Sequence, residues 1–236
     1  MRMGAELFLY DRAFEDCLER LADIRGDFAD VLLVGCPNPA WPARFKGSQV
    51  TVVDPGPMMA EQAQGHFADP ETLPFNGETF DLVLCIGALE TANNLPLAAA
   101  ALHLALRPGG LLLGATAGGQ NLPRLRRAML AADQVMGQAS PHLHPRIEGP
   151  SLARLLTEAG FAMPVIDVDR VELGYGLLDA LVRDLRAMGA TNILHARSRR
   201  PLSRSAWDAA REAFLGGGDG AVEQVEILHF AGWKSA

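Results

Sequence analysis

The feature that most constrains this chain is a rhythm of short apolar runs set between longer helical stretches. Val31–Cys36, Val50–Val53, Phe80–Ile86 and Leu111–Ala115 are each nearly continuous in apolar residues. A strand with one wet face alternates apolar and polar side chains, whereas an unbroken apolar run marks a strand buried on both faces. Between these runs lie stretches of helical spacing. Asp11–Arg25 places Phe14, Leu18, Leu21 and Ile24 on one face, and Met58–Gln64 follows a Pro55-Gly56-Pro57 turn. The Ala/Leu-rich stretch Leu95–Leu106 is ended by Arg107-Pro108-Gly109-Gly110, which cannot continue a helix. Strands separated by helices imply right-handed βαβ units and a mainly parallel sheet.

The second half reads differently. Leu122–Met136 has helical spacing, and Ala139–Pro150, with three prolines and two histidines, reads as a loop. Ser151–Ala159 is predicted as a helix with Ser151 as N-cap and Gly160 as its stop. Val165–Leu173 alternates with Asp167, Asp169 and Glu172, as expected of a strand near a sheet edge. Leu177–Met188 and Ser205–Phe214 read as helices with a basic loop between them. The glycines at 216, 217, 218 and 220 read as a turn, and Val222–Trp233 as a final strand. We expect one domain over 1–236, with an N-terminal helical segment over 1–28 and a helical insertion over 175–220.

Charge and cysteine content narrow the chemistry. A net charge of −7 argues against nucleic acid as a general partner, because such binders need a basic face. Cys17, Cys36 and Cys85 are odd in number and lack CxxC spacing, which argues against a disulfide framework or a zinc site. They read as small buried hydrophobes in a reducing cytoplasm. The opening Met1-Arg2-Met3-Gly4 leads into no long apolar stretch, so no signal peptide is expected. No run is long enough for a membrane span.

In an open parallel sheet, ligands bind beyond the carboxyl ends of the strands, where strand order reverses. The first strand ends at Gly35, and the second ends at Asp54, nineteen residues later. An acidic residue at that distance after a glycine turn is placed to accept hydrogen bonds from ribose hydroxyls, a role that suits a group with acceptors only. The alternative role for Asp54 is to cap the helix that follows.

Several ordered motifs now matter together: Ala68-Asp69, Leu73-Pro74-Phe75, Phe80-Asp81-Leu82-Val83 and Arg107-Pro108-Gly109-Gly110. In this order and at these distances they resemble class I S-adenosylmethionine-dependent methyltransferases. The resemblance implies a Rossmann-like, doubly wound, seven-stranded sheet that is mainly parallel with an antiparallel last strand. It also implies S-adenosylmethionine as cofactor, with Asp69 near the adenine amino group. The cofactor-binding set is then Gly35, Cys36, Asp54, Pro55, Ala68, Asp69, Ile86 and Gly87. Further stretches are more specific. Leu185–Asn192 (Leu-Arg-Ala-Met-Gly-Ala-Thr-Asn) and Arg197–Leu202, with Gly160-Phe161, Val165–Arg170, Gly232-Trp233 and the opening Phe8–Arg12, resemble one subgroup. It joins the mitochondrial complex I assembly factor of methyltransferase fold to bacterial biotin-synthesis methyltransferases, and the likeness covers nearly the whole chain.

The chain departs from that pattern at one place. The family's first motif is an acidic residue followed by Gly-x-Gly-x-Gly, and here the segment reads Leu33-Val34-Gly35-Cys36-Pro37-Asn38-Pro39. Leu33 stands at the acidic position, and Pro37 and Pro39 replace two glycines. Proline fixes φ and carries no N–H. If both lost donors faced the methionine carboxylate, the cost is about 1.5–3 kcal/mol apiece, and weakening on the order of 100-fold follows. The alternative is a drifted loop that takes the cofactor in another pose.

Other polar residues divide between roles. Glu90, where relatives often carry His, is either a base or a solvated loop carboxylate. Tyr175 either lines the substrate side or packs in the core. His142 and His144 have no acidic or cysteine neighbour in the sequence, so a metal is not expected there. The basic run His195–Arg204 is either a solvated loop or a dock, with Arg197, Arg199, Arg200 and Arg204 facing an acidic carrier protein, a phosphate or another partner surface. The resemblance implies a methyltransferase. A non-methylating assembly protein of the same fold and an atypical arginine-modifying enzyme are the alternatives.

Overall fold

The computed structural model describes residues 7–24, 26–75 and 77–236. Met1–Gly4 and Arg25, used in the sequence reading, lie outside the described residues.

The strands are β1 (Asp30–Val34), β2 (Gln49–Asp54), β3 (His66–Phe67), β4 (Phe80–Ile86), β5 (Leu106–Ala117), β6 (Phe161–Tyr175) and β7 (Ala221–Lys234). They form one seven-stranded sheet in the order β3-β2-β1-β4-β5-β7-β6. β1 runs parallel to both β2 and β4, β2 to β3, and β4 to β5. β7 runs antiparallel to β5. This is the expected Rossmann-like sheet, with its order reversing at β1 and β4. Val31–Val34 are at most 1% exposed, as their continuous apolar run requires of a central strand.

The helices are α1 (Phe8–Ala22), α2 (Pro57–Gln62), α3 (Leu95–Ala105), α4 (Pro123–Met136), α5 (Gly149–Glu158), α6 (Leu178–Ala187) and α7 (Arg204–Leu215). Three local expectations are corrected. The strand expected from Leu111 begins at Leu106, so Arg107–Gly110, read as the stop of the helix, is a bulge within β5. Phe80 pairs with Leu106 and Leu82 with Leu111, so the four residues between are looped out of register. Ser151 does not cap its helix. α5 begins at Gly149 with Glu148 as N-cap, because Pro150 fits the first turn, where its missing N–H costs nothing. The strand expected from Val165 begins at Phe161, directly after Gly160, whose φ of +100° ends α5.

Residue contacts divide the chain into two compact units. One comprises Leu7–Gly118, Ile147–Asp169 and Ile227–Ala236, and the other comprises Gly119–Arg146 and Arg170–Glu226. The first holds β1–β5 and a core of Leu32, Val34, Val83, Leu102, Leu112 and Leu152, all fully buried. In the second, α4 packs along α7, and α6 also packs on α7. Glu223, fully buried, accepts the first amides of α4 from Arg124 and Leu125, at 3.2 and 2.8 Å. A carboxylate there answers both the open amides and the positive helix end.

Candidate functional site

The carboxyl ends of β1, β2, β3 and β4 place the eight anticipated residues along one edge of the first unit. Gly35 follows β1 with φ of +81°, and a Cβ built there would lie 2.1 Å from the Ile86 carbonyl oxygen. Only glycine permits the β1 turn to pass so close to the end of β4. The Gly35 amide donates to the Val53 carbonyl at 2.9 Å, carrying the β1–β2 pairing one step beyond the strand.

Asp54 ends β2 and is 6% exposed. Its Oδ2 accepts the Cys36 amide at 2.7 Å, and its Oδ1 accepts the Gly56 amide at 2.7 Å. Gly56 is the N-cap residue of α2, so the carboxylate steadies the entry to α2 and the β1 turn at once. Burial raises the Asp54 pKa, while the Cys36 and Gly56 amides pull the other way. Burial, and then the Asp54 charge, push the Cys36 thiol up to about 12. Cys36 is therefore protonated and unreactive at neutral pH.

The remaining anticipated residues spread outward. Pro55 follows Asp54 and is half-buried. The Ala68 amide donates to the Asp54 backbone carbonyl at 3.3 Å, tying the end of β3 to β2. Asp69 is exposed, and its Oδ1 accepts the Glu71 amide at 2.9 Å in a local turn. Gly87 follows Ile86 with φ of +71°, and the Tyr10 ring of α1 stands over it. Glu90 is not a loosely solvated carboxylate. It accepts the Ala117 amide at 3.0 Å and so braces the end of β5.

The loop after β1 uses up its own polar groups. Asn38 Nδ2 donates to Asp11 Oδ1 at 2.8 Å, and Asn38 Oδ1 accepts the Ala40 amide at 3.0 Å. The Asn38 carbonyl accepts the Trp41 amide at 3.1 Å. The Trp41 indole N–H donates to the same Asp11 Oδ1 at 2.9 Å, and its ring stacks on Phe14 with centroids 4.4 Å apart. Pro37 and Pro39 carry no N–H, and Gly35, Cys36, Ala40 and Trp41 all donate within the chain. The Asn38 amide is left as the one donor of 35–41 that no acceptor among the described residues takes up. The sequence reading missed Asp11, Asn38 and Trp41 as a group. An Asn between two prolines was the available signal, since such a residue has few local partners and must be held by something distant.

The other anticipated positions fall in the second unit. The Tyr175 hydroxyl donates to Asp184 Oδ2 at 3.0 Å, and burial, then Asp184, raise its pKa. His142, expected to lack an acidic neighbour, has one: its Nε2 lies 2.8 Å from Asp133 Oδ1. His144 Nε2 accepts the Ile193 amide at 3.2 Å. Among the basic residues, Arg197 donates to the Leu194 carbonyl at 3.0 Å, Arg204 opens α7, and Arg199 and Arg200 are exposed. Among the described residues, no three His, Cys, Asp or Glu side chains converge as metal ligands, and no helix is long and apolar enough to cross a membrane.

Comparison with known proteins follows the same lines. The profile of a family described as "Methyltransferase domain" matches residues 7–164. The mitochondrial arginine-hydroxylase NDUFAF5 of Danio rerio is 37% identical over 177 residues, covering 73% of this chain and 55% of that protein. The malonyl-[acyl-carrier protein] O-methyltransferase of Laribacter hongkongensis is 33% identical over 190 residues, covering 73% of this chain and 62% of the relative. The chain thus spans about half the length of the first relative and under two thirds of the second. Among solved structures, the YcgJ protein of Bacillus subtilis matches with a TM-score of 0.61 at 14% identity, over 94% of this chain and 98% of that one. That likeness speaks for the fold alone.

Proposed function

The chain belongs to the methyltransferase-domain family, and from that premise we propose that it is an S-adenosylmethionine-dependent methyltransferase whose cofactor site is intact at the nucleoside end and weak at the methionine end. The single observation that carries this reading is the contrast between Asp54 and the loop beside it. Each Asp54 oxygen accepts one amide and keeps a further lone pair for a ribose hydroxyl. Gly35 lets the β1 turn close on the Ile86 carbonyl oxygen, and exposed Asp69 has one carboxylate oxygen beyond its local turn for an adenine amino group. The methionine carboxylate, by contrast, meets a loop in which two residues have no N–H and four donate elsewhere. When bound, the cofactor's sulfonium supplies an electrophilic methyl group, and the protein's part is to hold donor and acceptor in line. The exposed Arg199, Arg200 and Arg204 suit an acidic partner, and an acyl-carrier protein is named for the Laribacter relative's substrate.

A second reading is favoured by the same loop and by the arginine-hydroxylase relative. In it the chain keeps the fold and does not transfer methyl groups, serving as an accessory protein or an arginine-modifying enzyme. Calorimetric titration with S-adenosylmethionine and S-adenosylhomocysteine separates the two. We expect binding in the high-micromolar to millimolar range, tightened at least tenfold in the triple variant Leu33→Asp, Pro37→Gly, Pro39→Gly. Absence of heat and of thermal shift at millimolar ligand in both proteins would sink the methyltransferase reading. Low-micromolar binding by the unaltered chain would sink the weakened loop.

A further inference from the structure

The second unit contains a cavity of about 230 Å³ where the segment after α4, the Asn192 stretch and the arginine run meet. Six of its lining residues matter: Asp133, Ser140, His142, Asn192, Ser198 and Arg200. The cavity is smaller than the roughly 300–1,000 Å³ of a drug-sized ligand pocket, so it suits one chemical group at the end of a molecule.

The hydrogen bonds among these residues leave an imbalance. Asp133 is buried, and both its oxygens are engaged: Oδ1 by His142 Nε2 at 2.8 Å and Oδ2 by the Ser140 amide at 3.0 Å. The Asn192 oxygen accepts the Leu194 amide at 3.1 Å, and one Asn192 N–H reaches the Pro141 carbonyl at 2.8 Å. Ser140 Oγ accepts the Ser198 amide at 2.9 Å, which leaves its own hydroxyl proton to donate. Ser198 Oγ accepts the Arg200 amide at 3.1 Å. The Arg200 guanidinium has no partner among the described residues. Each Asp133 oxygen thus already holds one donor, while a hydroxyl proton, a second amide N–H of Asn192 and a full guanidinium fork remain.

We propose that this cavity binds an oxyanion, either a carboxylate or a phosphate group, with Arg200 as the charged fork and Ser140 as a hydroxyl donor. Guanidinium matches both anions through paired N–H donors, and an always-charged fork favours an anion over a neutral ligand. Asp133 has a positioning role: it holds His142 and the Ser140 amide so that the cavity wall keeps its shape. The site does not depend on the cofactor reading, since every residue named lies within the second unit.

The experiment uses the full chain without cofactor, at fixed ionic strength in chloride. Inorganic phosphate and acetate are titrated in separate arms, and the Ser140 and Ser198 amides are followed by NMR. Saturable shifts with either anion support the site, and the arm that saturates at lower concentration identifies the group. Arg200→Gln should weaken binding about tenfold and Ser140→Ala a few-fold. Arg127→Gln, which alters an exposed charge of the same unit outside the cavity lining, should leave it within twofold. Arg200 is exposed and its guanidinium holds no other side chain, so its replacement leaves the fold intact. Unsaturable shifts with both anions overturn the proposal. Equal weakening by Arg127→Gln and Arg200→Gln also overturns it, because that marks a diffuse positive field.

Discussion

The loop after β1 and the cavity wall around His142 are built from similar parts and end with opposite balances. Each has prolines on both sides of polar residues, Pro37-Asn38-Pro39 in one and Pro141–Pro145 in the other. Each rests on a buried aspartate that accepts two hydrogen bonds, Asp54 at 6% exposure and Asp133 at 8%. Around Asp54 the donors are spent: backbone amides turn inward, Asn38 and Trp41 fasten to Asp11, and one free amide remains. Around Asp133 each oxygen likewise holds one donor, but side-chain donors remain. The comparison teaches that a buried carboxylate does not by itself announce a site. What matters is the sign of the hydrogen-bonding capacity left over once the local structure has been satisfied.

The largest effect that would test this contrast is expected at Gly35. Gly35→Ala forces a Cβ to within 2.1 Å of the Ile86 oxygen at a positive φ, so the β1 turn must open. We expect a loss on the order of 3 kcal/mol or more, read as a drop of roughly 10 °C in melting temperature. A drop of only a degree or two would mean that the edge is slack, and the picture of a rigid, self-satisfied loop would fail.

The middle effect compares the two aspartates directly. Asp54→Asn turns an amide group toward one of two N–H donors inside the fold and should cost about 2 kcal/mol in denaturant unfolding. Asp133→Asn faces a cavity whose neighbours can turn toward water and should cost about half as much. Equal losses would erase the distinction between a structural carboxylate and one that serves a pocket.

The smallest effect concerns how firmly the second unit is held. Arg211 donates to both Asp179 oxygens at 2.8 Å, and the Trp207 indole donates at 3.3 Å. The Arg211 bonds, followed by Trp207, lower the Asp179 pKa from 3.8 to about 2. Because the folded value lies below the unfolded one, this clasp between α6 and α7 contributes above about pH 4, and its contribution fades as pH falls toward 2. Thermal melts of the unaltered chain and of Asp179→Asn should differ at pH 6 and converge near pH 2. Curves that stay parallel would show that α6 is held by packing alone.

Legibility in the sequence followed the range of the interaction. β1, β2, β4 and the inner part of β5 were visible because burial on both faces writes itself into contiguous residues. β3 was not, since His66 and Phe67 are two residues, both exposed, and their pairing to β2 owes nothing to an apolar pattern. Arg107–Gly110 read only as the stop of a helix because proline and glycine signal a break locally, whereas a bulge depends on the partner strand. Within the candidate site, Gly35 and Asp54 were legible from spacing along two adjacent strands. The bonds of Asp11 to Asn38 and Trp41 span 27 and 30 residues and leave no local trace. His142 and Asp133 stand nine residues apart across a helix end, a distance at which no periodicity brings two side chains together.

The stacked Trp41 has a consequence in time as well as in energy. A ligand that takes the Ala40 amide must wait until that amide leaves the Asn38 side chain, which Asp11 holds together with the Trp41 indole. Its arrival is then paced by the protein's own opening. In a stopped-flow trace of tryptophan emission, the observed rate would climb with ligand concentration and level off at a ceiling set by that opening, and Asp11→Ala would lift the ceiling.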